Sequence, residues 1–146
     1  MSGGRKESVL FLCTANAARS QMAEHLLRHM APDRFDVFSA GVRPTEVHPL
    51  THRVLNEAGI ATNGARSKSA EEFLGKVAIA HAIIVCEKAQ RSCPRVYPFA
   101  LKMHYWPFED PAAIEGSEED RLRGFRAIRD QIRERIESWL KEEGAG

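Results

Sequence analysis

Long apolar runs are missing from this sequence of 146 residues. The longest, Val77 to Cys86, is broken by His81 and falls far short of the ~20 residues that a membrane helix needs. The first residues, MSGGRKES, are small and polar and lack the apolar core of a signal peptide. We therefore expect no membrane segment and no export signal, and a cytoplasmic location is the default prediction.

An excess of one charge is also missing. Lys and Arg number 21 against 20 Asp and Glu, for a net charge of +1. This balance argues against a protein that binds nucleic acid or an anionic membrane through bulk charge. The length suits a single domain, so we predict one domain over 1–146, with 1–7 as a flexible tail and a monomer as the default state.

Cysteine is scarce and odd in number: Cys13, Cys86 and Cys93. An odd set in a chain without an export signal does not indicate a structural disulfide framework. Three interpretations stay open from the residues alone: the thiols are catalytic, redox-active or simply buried.

The histidines offer no convincing metal-binding spacing. His25 and His29 are four residues apart, as are His48 and His52, but neither pair has an acidic or cysteine ligand in register. We expect both pairs to lie on solvated helix faces, and we predict no metal site.

Strand and helix patterns alternate along the chain. A buried strand at Val9–Leu12 precedes an amphipathic helix at Arg19–Met30 and a second strand at Phe35–Ala40. The other predicted elements are a helix from Pro49 to Gly59, a short capped helix from Ser69 to Leu74, strands at Ala78–Val85 and Lys102–Trp106, and a last helix from Glu118 to Lys141. This alternation predicts a three-layer α/β sandwich around a four-stranded parallel sheet.

Two cysteines come at strand ends. Cys13 ends the first predicted strand and Cys86 follows the third. Ligands of open parallel sheets bind beyond the carboxyl ends of the strands. We therefore place both thiols at the functional edge.

The loop after the first strand carries a Cys-x5-Arg pattern, from Cys13 to Arg19. Such a loop entering a helix N-terminus forms an anion-binding nest, and an arginine fork suits a tetrahedral oxyanion. The same positive field favours a thiolate nucleophile at Cys13. Asn16 is expected to hold the loop, and Ser20 to donate to the sulfur. The predicted substrate-binding residues are Thr14, Ala15, Asn16, Ala17, Ala18, Arg19 and Ser20.

The segment VLFLCTANAARSQMAE, from Val9 to Glu24, resembles the phosphate-binding loop of low-molecular-weight protein tyrosine phosphatases. It is even more similar to that of their relatives, the thioredoxin-coupled arsenate reductases. The resemblance continues through Phe38–Gly41 and Glu109–Ala112 and covers about residues 8–140. It implies the fold of that phosphatase type, and it implies that Asp110, in an Asp-Pro pair, is a general acid. From the pair alone, an ordinary turn is the competing interpretation.

Two features favour the reductase over the phosphatase. Phosphatases of this family usually carry aromatic residues soon after the Asp-Pro pair, whereas Ala112, Ala113 and Ile114 follow here. The spacing of Cys86 and Cys93, with Pro94 next, matches the redox segment of the reductases.

The resemblance implies a three-thiol relay. Cys13 attacks arsenate, Cys86 attacks Cys13 as arsenite leaves, and Cys93 attacks Cys86. Thioredoxin then supplies the reducing equivalents, so no bound cofactor is expected. The alternatives are a tyrosine phosphatase working through a cysteinyl-phosphate, and a non-catalytic thiol switch or anion-binding module.

Some of these reductases hold a monovalent cation at positions that match Asn16, Glu24 and Ser39. Lys68 stands close to where a further acidic ligand occurs in those members, which argues against a bound cation here. We expect Lys68 to be an exposed lysine in a polar loop. The alternative is an ammonium that pairs with Glu24.

Overall fold

The computed structural model describes residues 6–87, 97–98 and 100–144, which form alternating strands and helices. The strands and helices are β1 (Glu7–Cys13), α1 (Arg19–Met30), β2 (Phe35–Gly41), α2 (Pro49–Glu57), β3 (His81–Ile84), β4 (Lys102–Tyr105) and α3 (Glu118–Gly144). Single 3-10 turns lie at Ala70–Glu72 and Pro111–Ala113. In this part of the chain no helix is long and apolar enough to cross a membrane.

The four strands form one sheet in the order β2-β1-β3-β4, and every neighbouring pair is parallel. Val9 pairs with Val37 on one side of β1, and Leu12 pairs with Ile84 on the other. β1 lies inside the sheet and is fully buried from Val9 onward, which explains its continuous apolar run. The predicted three-layer α/β fold with a four-stranded parallel sheet is confirmed.

The third strand is shorter than predicted. Regular pairing is limited to His81–Ile84, although the Ala80 and Val85 N–H groups still donate to β1 carbonyls at 3.1 and 2.9 Å. The apolar run extends further than the strand because Ile79, Val85 and Cys86 are buried without belonging to the ladder.

The last helix covers the sheet with one apolar stripe and lies against α1 and α2. Its buried residues recur every three or four positions, as the period of a helix requires. They are Leu122, Phe125, Ile128, Ile132, Ile136 and Trp139. The start of the helix is capped by a reciprocal pair, since Asp120 accepts from the Ser117 N–H at 3.2 Å and donates its own N–H to Ser117 Oγ at 3.1 Å.

Candidate active site

The loop between β1 and α1 lies directly over the end of β2. Cys13 pairs with Gly41, and a Cβ atom on Gly41 would stand 2.5 Å from the Thr14 oxygen and 2.8 Å from the Asn16 nitrogen. Only glycine permits this approach, because any side chain would push the loop off the sheet edge.

The loop carbonyls point outward and are held by the chain that follows β2. The Cys13, Thr14 and Ala15 oxygens accept from backbone N–H groups of residues 42–45 at 2.9–3.3 Å. The Ala17 oxygen accepts from the His48 N–H and the Thr51 hydroxyl. Because these carbonyls point away from the loop interior, the interior is lined by N–H groups and by the N-terminus of α1. Such a lining suits an anion.

Asn16 is the centre of the loop. Its φ is 54°, a left-handed conformation that asparagine tolerates better than most residues. Its amide nitrogen donates to Ser20 Oγ at 2.7 Å and to Ser39 Oγ at 2.9 Å. Its amide oxygen accepts from Gln21 Nε2 and the Lys68 N–H, both at 2.9 Å. With its hydrogen-bonding capacity satisfied in a buried position, this side chain fixes the loop.

These contacts also set the direction of the hydrogen bond at Cys13. Ser20 Oγ lies 2.8 Å from Cys13 Sγ, and the Asn16 N–H points to the same sulfur at 3.3 Å. Because Ser20 Oγ already accepts from Asn16, its proton is available to the sulfur. Two donors therefore face a thiol that is 2% exposed, an arrangement that stabilises a thiolate.

Arg19 and Asp110 complete the pocket. Arg19 is buried, donates to the Phe108 carbonyl at 3.1 Å and lies 3.7 Å from an Asp110 oxygen. Asp110 is about one third exposed and accepts from the Ala112 N–H, which caps the turn at Pro111–Ala113. The cavity between them measures about 130 Å³, and its lining residues are Cys13, Thr14, Ala15, Ala17, Ala18, Arg19, Asp110 and Ala112. The structure thus brings the predicted loop and the predicted general acid together.

Cys86 leaves the sheet at the same edge as Cys13. β1 and β3 pair in parallel as far as Leu12 and Ile84, so Cys13 at the end of β1 and Cys86 just after β3 come at the same edge of the sheet. Cys86 is fully buried and its sulfur is in a disulfide, whereas Cys13 is a free thiol. Cys93, the third predicted redox residue, lies outside the described residues, as does the rest of 88–96.

Lys68 is not the exposed lysine that we favoured. Its side chain is 13% exposed, and its ammonium lies 3.5 Å from Glu24, which also pairs with Arg28 at 2.5 Å and accepts from Ser39. Burial alone would raise the pKa of Glu24, but Lys68, Ser39 and Arg28 together lower it below 4.5. Burial, together with the charges of Arg66 and Arg28, lowers the pKa of Lys68 against the opposing effect of Glu24. A lysine charge thus sits beside Glu24, close to Asn16.

The prediction that both histidine pairs lie on solvated helix faces is only partly confirmed. His29 is exposed, as predicted, but His25 is buried and its Nδ1 lies 2.8 Å from the Gln21 oxygen. His48 caps α2, its Nδ1 accepting from the Leu50 N–H, and its ring packs on Phe125. Burial and then the Arg121 charge lower the pKa of His48, against the opposing charge of Asp110.

Several supporting residues were missed by sequence reasoning. Gln21 joins Asn16 to the Arg66 carbonyl, and Ser67 donates to the Asn16 carbonyl. Thr51 reaches the loop from α2. These contacts join residues that lie up to 51 positions apart in the sequence. The one local sign of close packing around the loop was the glycine at position 41, which directly follows the second predicted strand.

Comparison with known proteins agrees with this geometry. The family model for low molecular weight phosphotyrosine protein phosphatase matches residues 8–144. A protein from Shouchella clausii named arsenate reductase is 35% identical over 137 residues, covering 93% of this chain and 96% of its own. A solved structure described as an arsenate reductase in the phosphate binding state superposes with a TM-score of 0.76 at 28% identity, covering 93% of this chain and 98% of that one. A thioredoxin-dependent arsenate reductase from Corynebacterium glutamicum is 32% identical with a TM-score of 0.64, covering 93% of this chain and 63% of that one.

Proposed function

The chain belongs to the low molecular weight phosphotyrosine protein phosphatase family, and from that premise we propose that it reduces arsenate to arsenite by thiol–disulfide exchange. The relative from Shouchella clausii, at 35% identity over nearly its whole length, carries the name of that activity. The loop alone does not select the reaction, because it suits any tetrahedral oxyanion.

The observation that carries the proposal is a second buried cysteine at the edge of the sheet that holds the nucleophile. Cys13 ends β1 and Cys86 follows β3, its parallel neighbour, and the Val85 N–H donates to the Leu12 carbonyl at 2.9 Å. A phosphatase needs one thiol, whereas a two-electron reduction by thiols needs two. The disulfide state of Cys86 beside a free Cys13 also supports a redox role.

The first step is attack by the Cys13 thiolate on the arsenic of the bound oxyanion. Arg19 stands beside the pocket with its planar fork and neutralises the oxyanion charge. Asp110 lies over the same pocket and protonates the departing oxygen, which leaves as water. Arsenic is then covalently bound to sulfur and still in oxidation state V.

The second and third steps move the electrons. Cys86 thiolate attacks Cys13 sulfur, the pair of the S–As bond passes to arsenic, and arsenite leaves as As(III) with a Cys13–Cys86 disulfide behind it. Cys93 thiolate then attacks Cys86 and releases Cys13 as thiolate. The net change is arsenate and two thiols to arsenite, one disulfide and water. The proposal assigns Cys93 as the final partner of Cys86.

The pocket favours a small inorganic oxyanion over an aryl phosphate. Ala112 and Ala113 are exposed at the turn beside Asp110, and no aromatic side chain is among the described residues that line the cavity. A phosphotyrosine ring would find no stacking partner among these lining residues. We expect weak phosphatase activity from the shared loop, with arsenate reduction as the main reaction.

Thioredoxin is the proposed reductant. The Corynebacterium glutamicum neighbour is described as thioredoxin-dependent, and the final disulfide of the relay is the chemical substrate of a dithiol reductant. The relay takes its two electrons from that partner and requires no bound cofactor.

The test is a single turnover of fully reduced protein with arsenate, following arsenite release and mapping disulfides by mass spectrometry. We expect stoichiometric arsenite and a Cys86–Cys93 disulfide. Cys93→Ser should still release one arsenite and stop with a Cys13–Cys86 disulfide. Cys86→Ser should release none.

Three further results would decide between the alternatives. If all three thiols stay free and no arsenite appears while p-nitrophenyl phosphate is hydrolysed, the phosphatase interpretation replaces the reductase. Arsenite release by Cys86→Ser equal to that of the unsubstituted protein would refute the relay. If glutaredoxin sustains repeated turnover of the unsubstituted protein and thioredoxin does not, only the choice of reductant would be overturned.

A further inference from the structure

The edge of the sheet opposite the active site carries its own cluster of ligand-type side chains. Glu7 begins β1 and His81 begins β3, so both stand at the amino-terminal edge, while Cys13 ends β1 at the other. Glu143 reaches the same place from the last turn of α3, and His104 from β4. This cluster of Glu7, His81 and Glu143 has no part in the proposed reaction.

Three ligand atoms of the cluster converge. His81 Nε2 lies 3.3 Å from a Glu7 oxygen and 4.0 Å from a Glu143 oxygen, and the three atoms lie within 4.8 Å of one another. Bonds of about 2.0–2.2 Å from a tetrahedral Zn²⁺ place its ligand atoms about 3.3–3.6 Å apart. The His81–Glu7 separation already fits this range, and the partly exposed Glu143 side chain has to move inward by about 1 Å to join them. The histidine is 1% exposed, whereas the carboxylates are 56% and 28% exposed, so an ion could enter from solvent.

The ring of His81 is oriented by a second histidine. Its Nδ1 lies 3.0 Å from His104 Nε2, and Trp139 packs edge-on against both rings. His104 Nε2 can accept the Nδ1 proton of His81, and His81 then turns its Nε2 lone pair toward the two carboxylates. Ligating histidines are typically fixed in this way by a partner on the other ring nitrogen.

We propose that Glu7, His81 and Glu143 bind one divalent first-row transition ion of the Zn²⁺ type, with His104 as a positioning residue. The two carboxylates balance the charge of a divalent cation, and the imidazole selects against Mg²⁺ and Ca²⁺, which prefer oxygen ligands. Three protein ligands leave a fourth position to water. The ion would join the start of β1 to the end of α3, so its effect is on stability. Residue spacing did not reveal the site because each ligand comes from a different element.

The test uses the full-length protein and Zn²⁺ alone, followed by calorimetry and by the midpoint of thermal unfolding, Tm. We expect one Zn²⁺ per chain and a Tm that rises with Zn²⁺ concentration, because an ion that binds only the folded state stabilises it. Co²⁺ substitution distinguishes this site from the thiols. Binding here gives visible d–d bands without the intense thiolate-to-cobalt charge-transfer band.

Glu7→Gln changes an exposed side chain and Glu143→Gln a partly exposed one, so folding should survive, and each should weaken Zn²⁺ binding at least about tenfold. His104→Gln should weaken it about 10–100-fold. Glu142→Gln, at an exposed carboxylate one residue away, is the matched control and should bind as the unsubstituted protein does. Equal affinity in Glu143→Gln and the control, a dominant thiolate band with Co²⁺, or no Zn²⁺ binding at all would each overturn the proposal.

Discussion

Replacing Lys68 by methionine should destabilise the protein through Glu24. The two charges lie 3.5 Å apart, with 13% and 9% of their side chains exposed. At an effective dielectric constant of about 20, their attraction is about 5 kcal/mol. Removing the ammonium offsets part of this lost attraction, because its burial is itself unfavourable and lowers the pKa of Lys68. Arg28 and Ser39 still contact Glu24, so we expect a net loss of about 2 kcal/mol, below the 3–5 kcal/mol typical of a buried charge left alone.

The assay is urea and thermal unfolding followed by far-ultraviolet circular dichroism. For a domain of this size, a loss of about 2 kcal/mol lowers Tm by about 4–8 °C. A double-mutant cycle with Glu24→Gln isolates the pair, and we expect a coupling energy of about 1–3 kcal/mol. Lys76→Met, at an exposed lysine of the same region, is the matched control and should change stability by less than about 0.5 kcal/mol.

The pH dependence follows from Glu24. Its folded pKa is held below its ordinary value of 4.5, so the stability that it contributes is fully present above pH 4.5 and is lost as pH falls through the folded pKa. The difference between the Lys68→Met variant and the unsubstituted protein should therefore shrink below pH 4.5. Equal stability of the two at pH 7, or a difference independent of pH across this window, would refute the reasoning.

Three further substitutions test the active site. Asp110→Asn should slow arsenite formation about 10²–10⁴-fold without changing Tm, as measured in the single turnover. Ser20→Ala removes the hydroxyl 2.8 Å from Cys13 Sγ, so alkylation of Cys13 by iodoacetamide should slow about tenfold at neutral pH. Gly41→Ala places a Cβ 2.5 Å from the Thr14 oxygen, so stability should fall by about 1–3 kcal/mol and turnover about 10²-fold. Unchanged alkylation of the Ser20→Ala variant would contradict the second of these predictions, and unchanged turnover of the Gly41→Ala variant would contradict the third.

The elements were predictable where one periodicity dominates. The helix Arg19–Met30 has the predicted bounds, and the capping box at Ser69 and Glu72 forms as expected, although it opens a single 3-10 turn. The last helix runs three residues beyond Lys141, because Glu142 and Glu143 carry no stop signal. β3 is shorter than its apolar run, since hydrophobicity reports burial while strand length depends on where the neighbouring strand pairs.

Side-chain partners distant in the chain were less predictable than the loop itself. Cys13, Asn16, Arg19 and Ser20 fall within eight residues, so local spacing carried the prediction. Lys68 lies 44 residues from Glu24 and was expected to be exposed, because a lysine among polar neighbours carries no local sign of burial.

One loop serves two chemistries because binding a tetrahedral oxyanion and activating a thiol require the same groups. The features around Cys13, from the outward carbonyls to the donors at its sulfur, suit phosphoryl transfer as well as arsenate reduction. The end of β3 decides between the two chemistries, since a thiol there can attack the Cys13 sulfur and displace arsenic from it. In a parallel sheet that position is available without altering the loop, because Cys86 follows β3 while the loop is held by β2 and the chain after it. The two functions can therefore diverge at one strand end while the anion site stays fixed.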